Sequence, residues 1–562
     1  MALFLRLLLV AAALFWVSYP ARADTNGMDK AYQDHIIDAS LTDTSVAPEV
    51  IAKLHLTDKD AETYSKIFAA HGRGDRKGAE ALAKKLSDRS LVDWARVRNG
   101  HNPAIWLPET SGGYARTYRS PLHKDKAARD AADDIALSVS VLLKTDDIAR
   151  AIDVTKRAAA VGTIDRIEAA AQYARIAAAY LYANKPADAL SYAHLALQIG
   201  GIKTPDAAWV AGLASWLQGE SRRAAQYFAW VPRSPYAGPW LRSAASFWAA
   251  RAMMREGQYA LVSEWLREAA KNPRSFYGLI ATRALGTRFD FNWIAPPFTP
   301  AHAAVLKRYP GAVRALKLAQ AGQYDMARIE LALLDANAAP QWREALAALA
   351  TTSLKPDTVM KVSGILMTPD GRPLDLAMYP VAPWQPRDGF RLDPALLHAF
   401  ARQESGFKPA ARNKASGATG LLQLMPRTAR SFDKSLDEST LKNPQVSLAL
   451  GQKYLEDLLD MTDGNLFEAA IAYNAGPGNL GEWKDRFAGV DDPLLFIELI
   501  PFGETRAYVE RVMANYWIYS LRMGFGVASL DAVAAGKPAI YASYTKPRDE
   551  AVYASVSSAS NR

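Results

Sequence analysis

Glu404 is the residue whose type and position most clearly predict chemistry. Leu396, Phe400 and Glu404 recur every four residues, so they share one face of a predicted helix. Two members of this stripe are apolar and the third is a carboxylic acid. Partial burial favours the neutral form of a carboxyl group and raises its pKa. A carboxyl that stays protonated near neutral pH can donate a proton, as the cleavage of an acetal requires.

The helix that must position Glu404 has a predicted start and end. Asp393 is expected to cap its first turn, and Pro394 suits the first helical position. Gly406 follows shortly after Glu404 and places the acid in the last turn. There the negative end of the helix dipole disfavours the ionised carboxyl.

Further elements follow this helix in the sequence. Met425 precedes Pro426, which disfavours a helical backbone at residue 425. Residues 420–425 are therefore expected to be looped or extended, with a helix starting at Pro426. Three later helices are predicted over residues 444–459, 466–475 and 504–521.

Four motifs in this region resemble those of the bacterial soluble lytic transglycosylases. They are RQES at 402–405, GLLQLMP at 420–426, AYNAGPG at 472–478 and IPFGETRAYV at 500–509. The resemblance implies a lysozyme-like α domain that cleaves the MurNAc–GlcNAc β-1,4 bond of peptidoglycan and leaves 1,6-anhydroMurNAc ends. It also implies an all-α fold in which a U- or ring-shaped helical superhelix precedes that domain.

The resemblance also suggests roles for five residues. Glu404 matches the single catalytic acid and base. Gln423, Met425 and Tyr473 match positions that line the sugar groove, and the Tyr473 hydroxyl is expected to orient the acetamido group or the acid. Glu504 matches an acid that contacts the muropeptide.

The sequence departs from the family pattern at two places. The family usually has GLMQ where this chain has Leu422 in GLLQ, an apolar exchange that should be tolerated. The loop between Glu404 and Gln423 is one residue longer than usual. The family's substrate-binding serine therefore has two candidate counterparts, Asn413 and Ser416, and the choice is open.

Simpler interpretations stand beside these roles. Gln423 and Met425 would also suit an ordinary core, and Tyr473 could be packed on an apolar face. Glu504 would also be favourable as an acid in the first turn of its helix. Two other functions are carried as alternatives: a lysozyme-type hydrolase, and a cell-wall scaffold with a vestigial enzyme domain.

Glycosidases commonly use two carboxylates. No motif marks a second catalytic acid near Glu404 in the sequence, although Glu498 or Glu504 could approach it in space. The family solution is substrate assistance: the MurNAc N-acetyl oxygen stabilises C1, and the C6 hydroxyl closes on it.

The chain begins with a predicted secretory signal peptide over residues 1–23. Arg6 precedes the apolar run from Leu7 to Val17, and Ala21-Arg22-Ala23 gives a small-x-small cleavage pattern. No later stretch is predicted to span the membrane. The sequence contains no cysteine, which fits an exported protein whose large core replaces disulfides. We expect a periplasmic location, with association with the outer membrane left open.

The remaining chain divides into four predicted parts. Residues 24–285 are alanine-rich and helical, with short breaks typical of a superhelix of helix hairpins. Residues 286–388 form a helical linker domain, 389–526 the lysozyme-like domain, and 527–562 a partly disordered C-terminal extension. Six tryptophans at helical spacing are interpreted as core: Trp209, Trp216, Trp230, Trp240, Trp248 and Trp265.

Composition limits the partners. The formal net charge is +9, but no basic run with interleaved aromatics indicates nucleic acid. No paired histidine spacing indicates a metal, and the G-x-G-x-x-G match at 476–481 follows a predicted helix rather than a strand. We therefore expect no cofactor and no nucleic-acid partner. The family resemblance implies peptidoglycan glycan strands as the partner, and we expect a monomer, with cell-wall machinery as a candidate further partner.

Overall fold

The computed structural model describes residues 46–97, 116–337, 340–432, 434 and 436–542. These residues form helices joined by loops, and the pairing between extended segments within them is limited to isolated bridges. The all-α prediction is confirmed. The predicted signal peptide, and most of the polar stretch from residue 101 to 126, lie outside the described residues.

The helices run in chain order as follows. The first thirteen are α1 Pro48–Leu54, α2 Asp58–Gly72, α3 Arg76–Ala83, α4 Val92–Val97, α5 Lys126–Lys144, α6 Ile148–Ala160, α7 Arg166–Tyr182, α8 Pro186–Gly200, α9 Pro205–Leu217, α10 Ser221–Trp230, α11 Pro239–Arg255, α12 Tyr259–Ala270 and α13 Phe276–Ala284. The next six are α14 Pro300–Arg308, α15 Pro310–Gln320, α16 Tyr324–Asn337, α17 Gln341–Ser353, α18 Pro356–Val362 and α19 Asp375–Met378. The last nine are α20 Pro394–Glu404, α21 Pro426–Phe432, α22 Glu438–Leu441, α23 Pro444–Met461, α24 Leu466–Ala475, α25 Pro477–Arg486, α26 Pro493–Leu499, α27 Gly503–Arg522 and α28 Ala528–Ala534.

The first four helices share a hydrophobic core with residues 298–377. The backbone N–H of Leu56 donates to Gln320 Oε1 at 2.8 Å, across 264 residues of chain. Lys317 Nζ lies 2.6 Å from a carboxylate oxygen of Asp88 in the same unit. The predicted domain boundaries group residues 46–97 with the superhelix up to residue 285, whereas this core joins them to the linker domain.

Helices α5–α13 form the superhelical part, in which consecutive helices pack on one another. Alanine at most contact positions keeps the side chains small, so the helices approach closely. The core interpretation of Trp216 and Trp248 is confirmed, because both side chains are buried. Trp209, Trp240 and Trp265 pack against the same core and are partly exposed.

Residues 379–539 share one hydrophobic core with the last helices of the superhelix. The rings of Phe276 on α13 and Trp517 on α27 stack with centroids 5.3 Å apart. Beside them, the Tyr277 hydroxyl donates to Glu498 at 2.5 Å, and Trp240 Nε1 donates to Glu510. Two buried carboxyl groups therefore lie at the junction of the superhelix and the lysozyme-like domain.

This junction makes the stability of the fold depend on pH. Burial raises the pKa of Glu498, and burial together with the charge of Glu498 raises the pKa of Glu510, while nearby Arg506 opposes both shifts. A carboxyl with a raised folded-state pKa stabilises the fold below its unfolded pKa, and this contribution is lost as pH rises through the folded value. We expect the free energy of unfolding to fall above pH 5, by up to about 1.4 kcal/mol per pH unit for each carboxyl.

Glu510→Gln should flatten this slope, because a neutral amide keeps an oxygen for Trp240 Nε1 and has no proton to lose. The measurement is urea unfolding between pH 5 and pH 8.5. The exposed Glu80→Gln on α3 is the matched control. An equal slope in wild type and Glu510→Gln would contradict the prediction.

The first part of the predicted C-terminal extension packs on the lysozyme-like domain. Leu530 and Ala539 are buried, and the backbone N–H of Asp393 donates to the Tyr541 hydroxyl at 3.0 Å. Residues 543–562 lie outside the described residues. Among the helices that the structure describes, none combines the length and apolar character needed to cross a membrane.

Candidate active site

Glu404 is the last residue of α20, as its sequence position predicted. Leu396 and Phe400 on the same stripe are buried, and Glu404 is half-buried. The predicted cap was wrong: the Asp393 side chain makes no capping bond. Instead its carboxylate accepts a hydrogen bond from the Tyr516 hydroxyl at 2.8 Å. This bond connects the start of α20 to α27. The other end of α20 is connected to α27 by a hydrogen bond between Tyr508 and Glu404.

The environment of Glu404 keeps its carboxyl protonated near neutral pH. Burial raises the pKa of Glu404 to about 7, and the charge of Glu504 pushes in the same direction. A hydrogen bond from the Tyr508 hydroxyl to Glu404 Oε1, 2.5 Å long, opposes the shift because it favours the ionised form. An acid with a pKa near 7 can both give and take a proton at neutral pH.

Tyr508 is the site residue that the sequence analysis missed. It lies one turn after Glu504 on α27, inside the IPFGETRAYV motif, and its ring packs edge-on against Phe400 with centroids 6.2 Å apart. The available signal in the sequence was its position: Tyr508 is a polar aromatic residue one helical turn after Glu504, which was already expected in the site. The sequence could not show that α27 crosses α20 at Glu404.

Tyr508→Phe should leave the fold intact and raise the pKa of Glu404, because the ionised carboxyl loses its hydrogen-bond donor. We expect catalytic activity to fall about tenfold, the usual size for one hydrogen bond to a charged group. The pH at which activity is half-maximal should move upward. Tyr454→Phe is the control, since the Tyr454 ring packs at a tilt against Tyr473 and its hydroxyl does not donate to Glu404. An unchanged pH midpoint in Tyr508→Phe would contradict the assignment.

Tyr473 lies in the site, but its hydroxyl does not make a hydrogen bond to Glu404. Its ring packs edge-on against Phe400 with centroids 4.8 Å apart, and its hydroxyl donates to the Leu422 carbonyl at 2.6 Å. The expectation that it orients the acid is therefore wrong, because Tyr508 makes that bond. Tyr473 instead fixes the loop that carries the second motif.

That loop, residues 420–425, precedes α21 as predicted and packs on α23. Gly420 has a φ of +88°, and a Cβ there would lie 2.2 Å from the Leu441 carbonyl oxygen. A Cβ on Gly451 of α23 would lie 1.9 Å from Leu422 Cδ1, so the helix and the loop approach closely only because Gly451 has no side chain. Leu422 is buried, which agrees with the expected tolerance of an apolar exchange.

Gln423 and Met425 follow in the same loop. Gln423 has a φ of +46°, a backbone conformation that costs energy for any residue with a side chain. Its Nε2 donates to the carbonyls of Gly420 and Ala411, at 2.8 and 3.1 Å, and so holds the loop together. Met425 is 41% exposed, so the interpretation of Met425 as core is wrong.

The two candidates for the family's serine position lie in one turn of the loop before residue 420. Asn413 Oδ1 accepts hydrogen bonds from the backbone N–H groups of Ala415 and Ser416, at 2.9 and 3.2 Å. The Ser416 hydroxyl accepts from the Ala418 N–H at 3.3 Å. Both side chains are exposed and both stabilise the turn, so the choice between them stays open.

Glu504 and Glu498, the two acids that could have approached Glu404, lie in different parts of the structure. Glu504 is exposed in the first turn of α27, near enough for its charge to act on Glu404. Glu498 is buried at the junction with the superhelix, where it accepts from Tyr277. Only Glu504 of these two influences the pKa of Glu404. Within the described ranges, no group of three or more His, Asp or Glu side chains is arranged to hold a metal ion.

Residues 385–495 match the protein family described as the transglycosylase SLT domain. The soluble lytic murein transglycosylase of Escherichia coli K12 is 28% identical over 286 residues, which are 50% of this chain and 44% of that protein. A putative soluble lytic murein transglycosylase of Haemophilus influenzae is 37% identical over 128 residues, or 22% of this chain and 21% of that protein. The matched segment thus spans less than half the length of these relatives.

Two solved structures share the fold. The 70-kDa soluble lytic transglycosylase of Escherichia coli aligns over 90% of this chain and 76% of its own, with a TM-score of 0.51 and 20% identity. An inactive variant of the lytic transglycosylase Slt of Pseudomonas aeruginosa aligns over 87% and 76%, with a TM-score of 0.50 and 21% identity. The superhelix followed by a lysozyme-like domain is therefore a known architecture.

Proposed function

We propose that this chain, whose residues 385–495 match the transglycosylase SLT domain family, is a peptidoglycan lytic transglycosylase. It cleaves the MurNAc–GlcNAc β-1,4 bond without water and leaves 1,6-anhydroMurNAc ends. The observation that carries the proposal is the state of Glu404, a half-buried acid within the first family motif whose pKa is about 7. Its biological role would be the turnover and remodelling of the cell wall.

In the first step Glu404 acts as a general acid. Its proton passes to the glycosidic oxygen as the bond from that oxygen to C1 of MurNAc breaks. The acetamido oxygen of the same sugar stabilises the positive charge that develops at C1. The raised pKa of Glu404 supplies the protonated form at neutral pH, and the Tyr508 hydroxyl stabilises the carboxylate that remains.

In the second step the Glu404 carboxylate acts as a base. It takes the proton of the C6 hydroxyl while O6 bonds to C1, so the proton lost in the first step is recovered. No water is consumed, and one carboxyl group serves both steps. Because Tyr508 donates to one oxygen, Oε1, the other carboxyl oxygen is left for the proton transfers.

Binding roles are proposed for the residues around Glu404. Met425 is exposed at the end of the loop and offers an apolar contact for a sugar face. Gln423 and Tyr473 act mainly through the loop that they hold in place, next to the sugar. Glu504 is exposed in the first turn of α27 and can accept hydrogen bonds from a muropeptide.

A lysozyme-type hydrolase is the second candidate. The observation that favours it is Glu504, whose charge acts on Glu404 and could supply a second carboxylate. Its exposed position does not resemble the enclosed setting of a nucleophile. We therefore rank the lyase first.

The products separate the two reactions directly. Purified sacculi are digested with the protein, and the released fragments are analysed by mass spectrometry. We expect each new end to be lighter than a reducing MurNAc end by one water, about 18 mass units, as a 1,6-anhydro ring requires. Products that carry only reducing MurNAc ends would reject the lyase and support the hydrolase.

We further propose that the protein acts in the periplasm as a monomer. The predicted signal peptide and the lack of cysteine support export. The superhelix shares a hydrophobic core with the lysozyme-like domain, and we propose that it contacts glycan strands or other cell-wall machinery.

A further inference from the structure

A cavity of about 450 Å³ lies between the linker domain and the end of α27. Its walls combine polar and apolar surface in about equal shares, and Arg522 is the one charged side chain among the lining residues. The lining includes Trp293, Pro296, Thr352, Val359, Val381 and Arg522. Neither Glu404 nor any of the four motifs contributes to it, so the cavity is separate from the candidate active site.

Arg522 has no acid partner among the described residues. Its Nη1 donates to the Leu376 carbonyl at 3.2 Å, and its guanidinium lies 5.9 Å from the centre of the Trp293 ring. Another partly buried arginine, Arg274, shows the usual arrangement, with a bidentate pair to the buried Asp375. A guanidinium has five N–H groups, so Arg522 retains unused donors on its cavity side.

The two titratable groups that interact electrostatically with Arg522 are His398 and Tyr519, and both are neutral at neutral pH. His398 uses both ring nitrogens, one with the Pro394 carbonyl and one with the Ala382 N–H, and burial lowers its pKa to about 4. The Tyr519 hydroxyl donates to the Pro380 carbonyl at 3.0 Å. Burial lowers the pKa of Arg522 to about 10, which leaves the guanidinium charged at neutral pH. No carboxylate of the described residues forms an ion pair with this guanidinium.

We propose that this cavity binds a small aliphatic carboxylate, of about the size of a dipeptide with a free C-terminus. A carboxylate matches the planar fork of a guanidinium and forms paired hydrogen bonds with it. One negative charge would balance Arg522, short alkyl groups would pack on the apolar half of the lining, and the peptide groups would face its polar half. The volume lies in the range of small-molecule sites, in which a few polar groups orient a mainly apolar ligand.

The same features disfavour other ligands. A phosphate dianion needs more donors than one guanidinium and gains nothing from the apolar half of the lining. A cation would be repelled by Arg522. The inference does not depend on the proposed transglycosylase activity, because binding here involves no bond cleavage.

The test is calorimetric titration of the full chain with N-acetyl-alanyl-alanine. The matched ligand is the C-terminal carboxamide of the same dipeptide, which keeps the shape and lacks the charge. We expect the carboxylate to bind at least about tenfold more tightly than the amide, the effect of one charge-assisted contact. Arg522→Gln should remove this difference, and the exposed Arg288→Gln should retain it.

A second variant protects the test against misfolding. Thr352→Trp fills the cavity from α17 without changing Arg522 and should abolish binding of both ligands. Equal affinity for carboxylate and amide in the wild type would overturn the proposal, as would inorganic phosphate that competes at the same concentration. Binding is also measured on Glu404→Gln, where it should be unchanged, so failure here is distinct from failure of the proposed reaction.

Discussion

Glu404→Gln is expected to lower the rate of glycan cleavage by about a thousandfold, in the middle of the range for loss of a general acid and base. The substitution keeps the size of the side chain and an oxygen that can accept from Tyr508. It removes the carboxyl group that donates a proton in the first step and accepts one in the second. The rate is measured as soluble fragments released from purified sacculi, with the end groups of the products analysed in parallel.

The stability of this variant provides an internal check. Because the folded-state pKa of Glu404 is raised to about 7, ionisation of this carboxyl costs stability at pH 8. Glu404→Gln should therefore be at least as stable as the wild type at that pH. Glu482→Gln, on the exposed face of α25, is the matched control for activity. Full cleavage by Glu404→Gln would show that the activity does not need this acid, and inactivity of the wild type would favour the scaffold alternative.

The pH dependence of cleavage carries the second large effect. The free enzyme must start with Glu404 protonated, so kcat/KM should fall as pH rises through about 7. Well above that value the loss is about tenfold per pH unit, or roughly a hundredfold at pH 9. The carboxylate needed for the second step forms during the reaction. Glu404 therefore contributes a descending limb to the profile and no ascending one.

Two variants should move this limb in opposite directions. Glu504→Gln removes a negative charge that raises the pKa of Glu404, so the midpoint should move to lower pH. Tyr508→Phe removes a hydrogen bond that lowers this pKa, so the midpoint should move to higher pH. A midpoint that stays at the same pH in both variants would show that another group controls the profile. The midpoint is read independently of the absolute rate, which either substitution also affects.

Local signals in the sequence were sufficient for the central acid and for the helices α20, α21 and α23. Periodicity and Gly406 placed Glu404 in the last turn of α20, and Met425-Pro426 marked the start of α21. Asn443 before Pro444 starts α23, where its side chain caps the first turn. These features depend on residues within one or two turns of each other, so a single sequence contains them.

Features that depend on contacts between distant helices were not predictable in this way. Asp393 has the right type and place for a cap, but Tyr516 competes for its carboxylate from α27. Tyr508 reaches Glu404 across 104 residues, and nothing local distinguishes it from Tyr473. Glu498 likewise accepts a hydrogen bond from Tyr277, 221 residues away in the sequence. In each case a tertiary hydrogen bond decided the side chain's role.

The core shared by α1–α4 and residues 298–377 has a consequence for the order of folding. During synthesis, the first helices emerge more than 200 residues before the segment that covers their apolar faces. Contacts such as Leu56 with Gln320 give the chain a high contact order in this region, which slows folding. Until residue 377 has been made, the N-terminal helices expose an incomplete hydrophobic surface that is prone to aggregation. Export in an unfolded state, followed by folding of the whole chain at once, would avoid that interval.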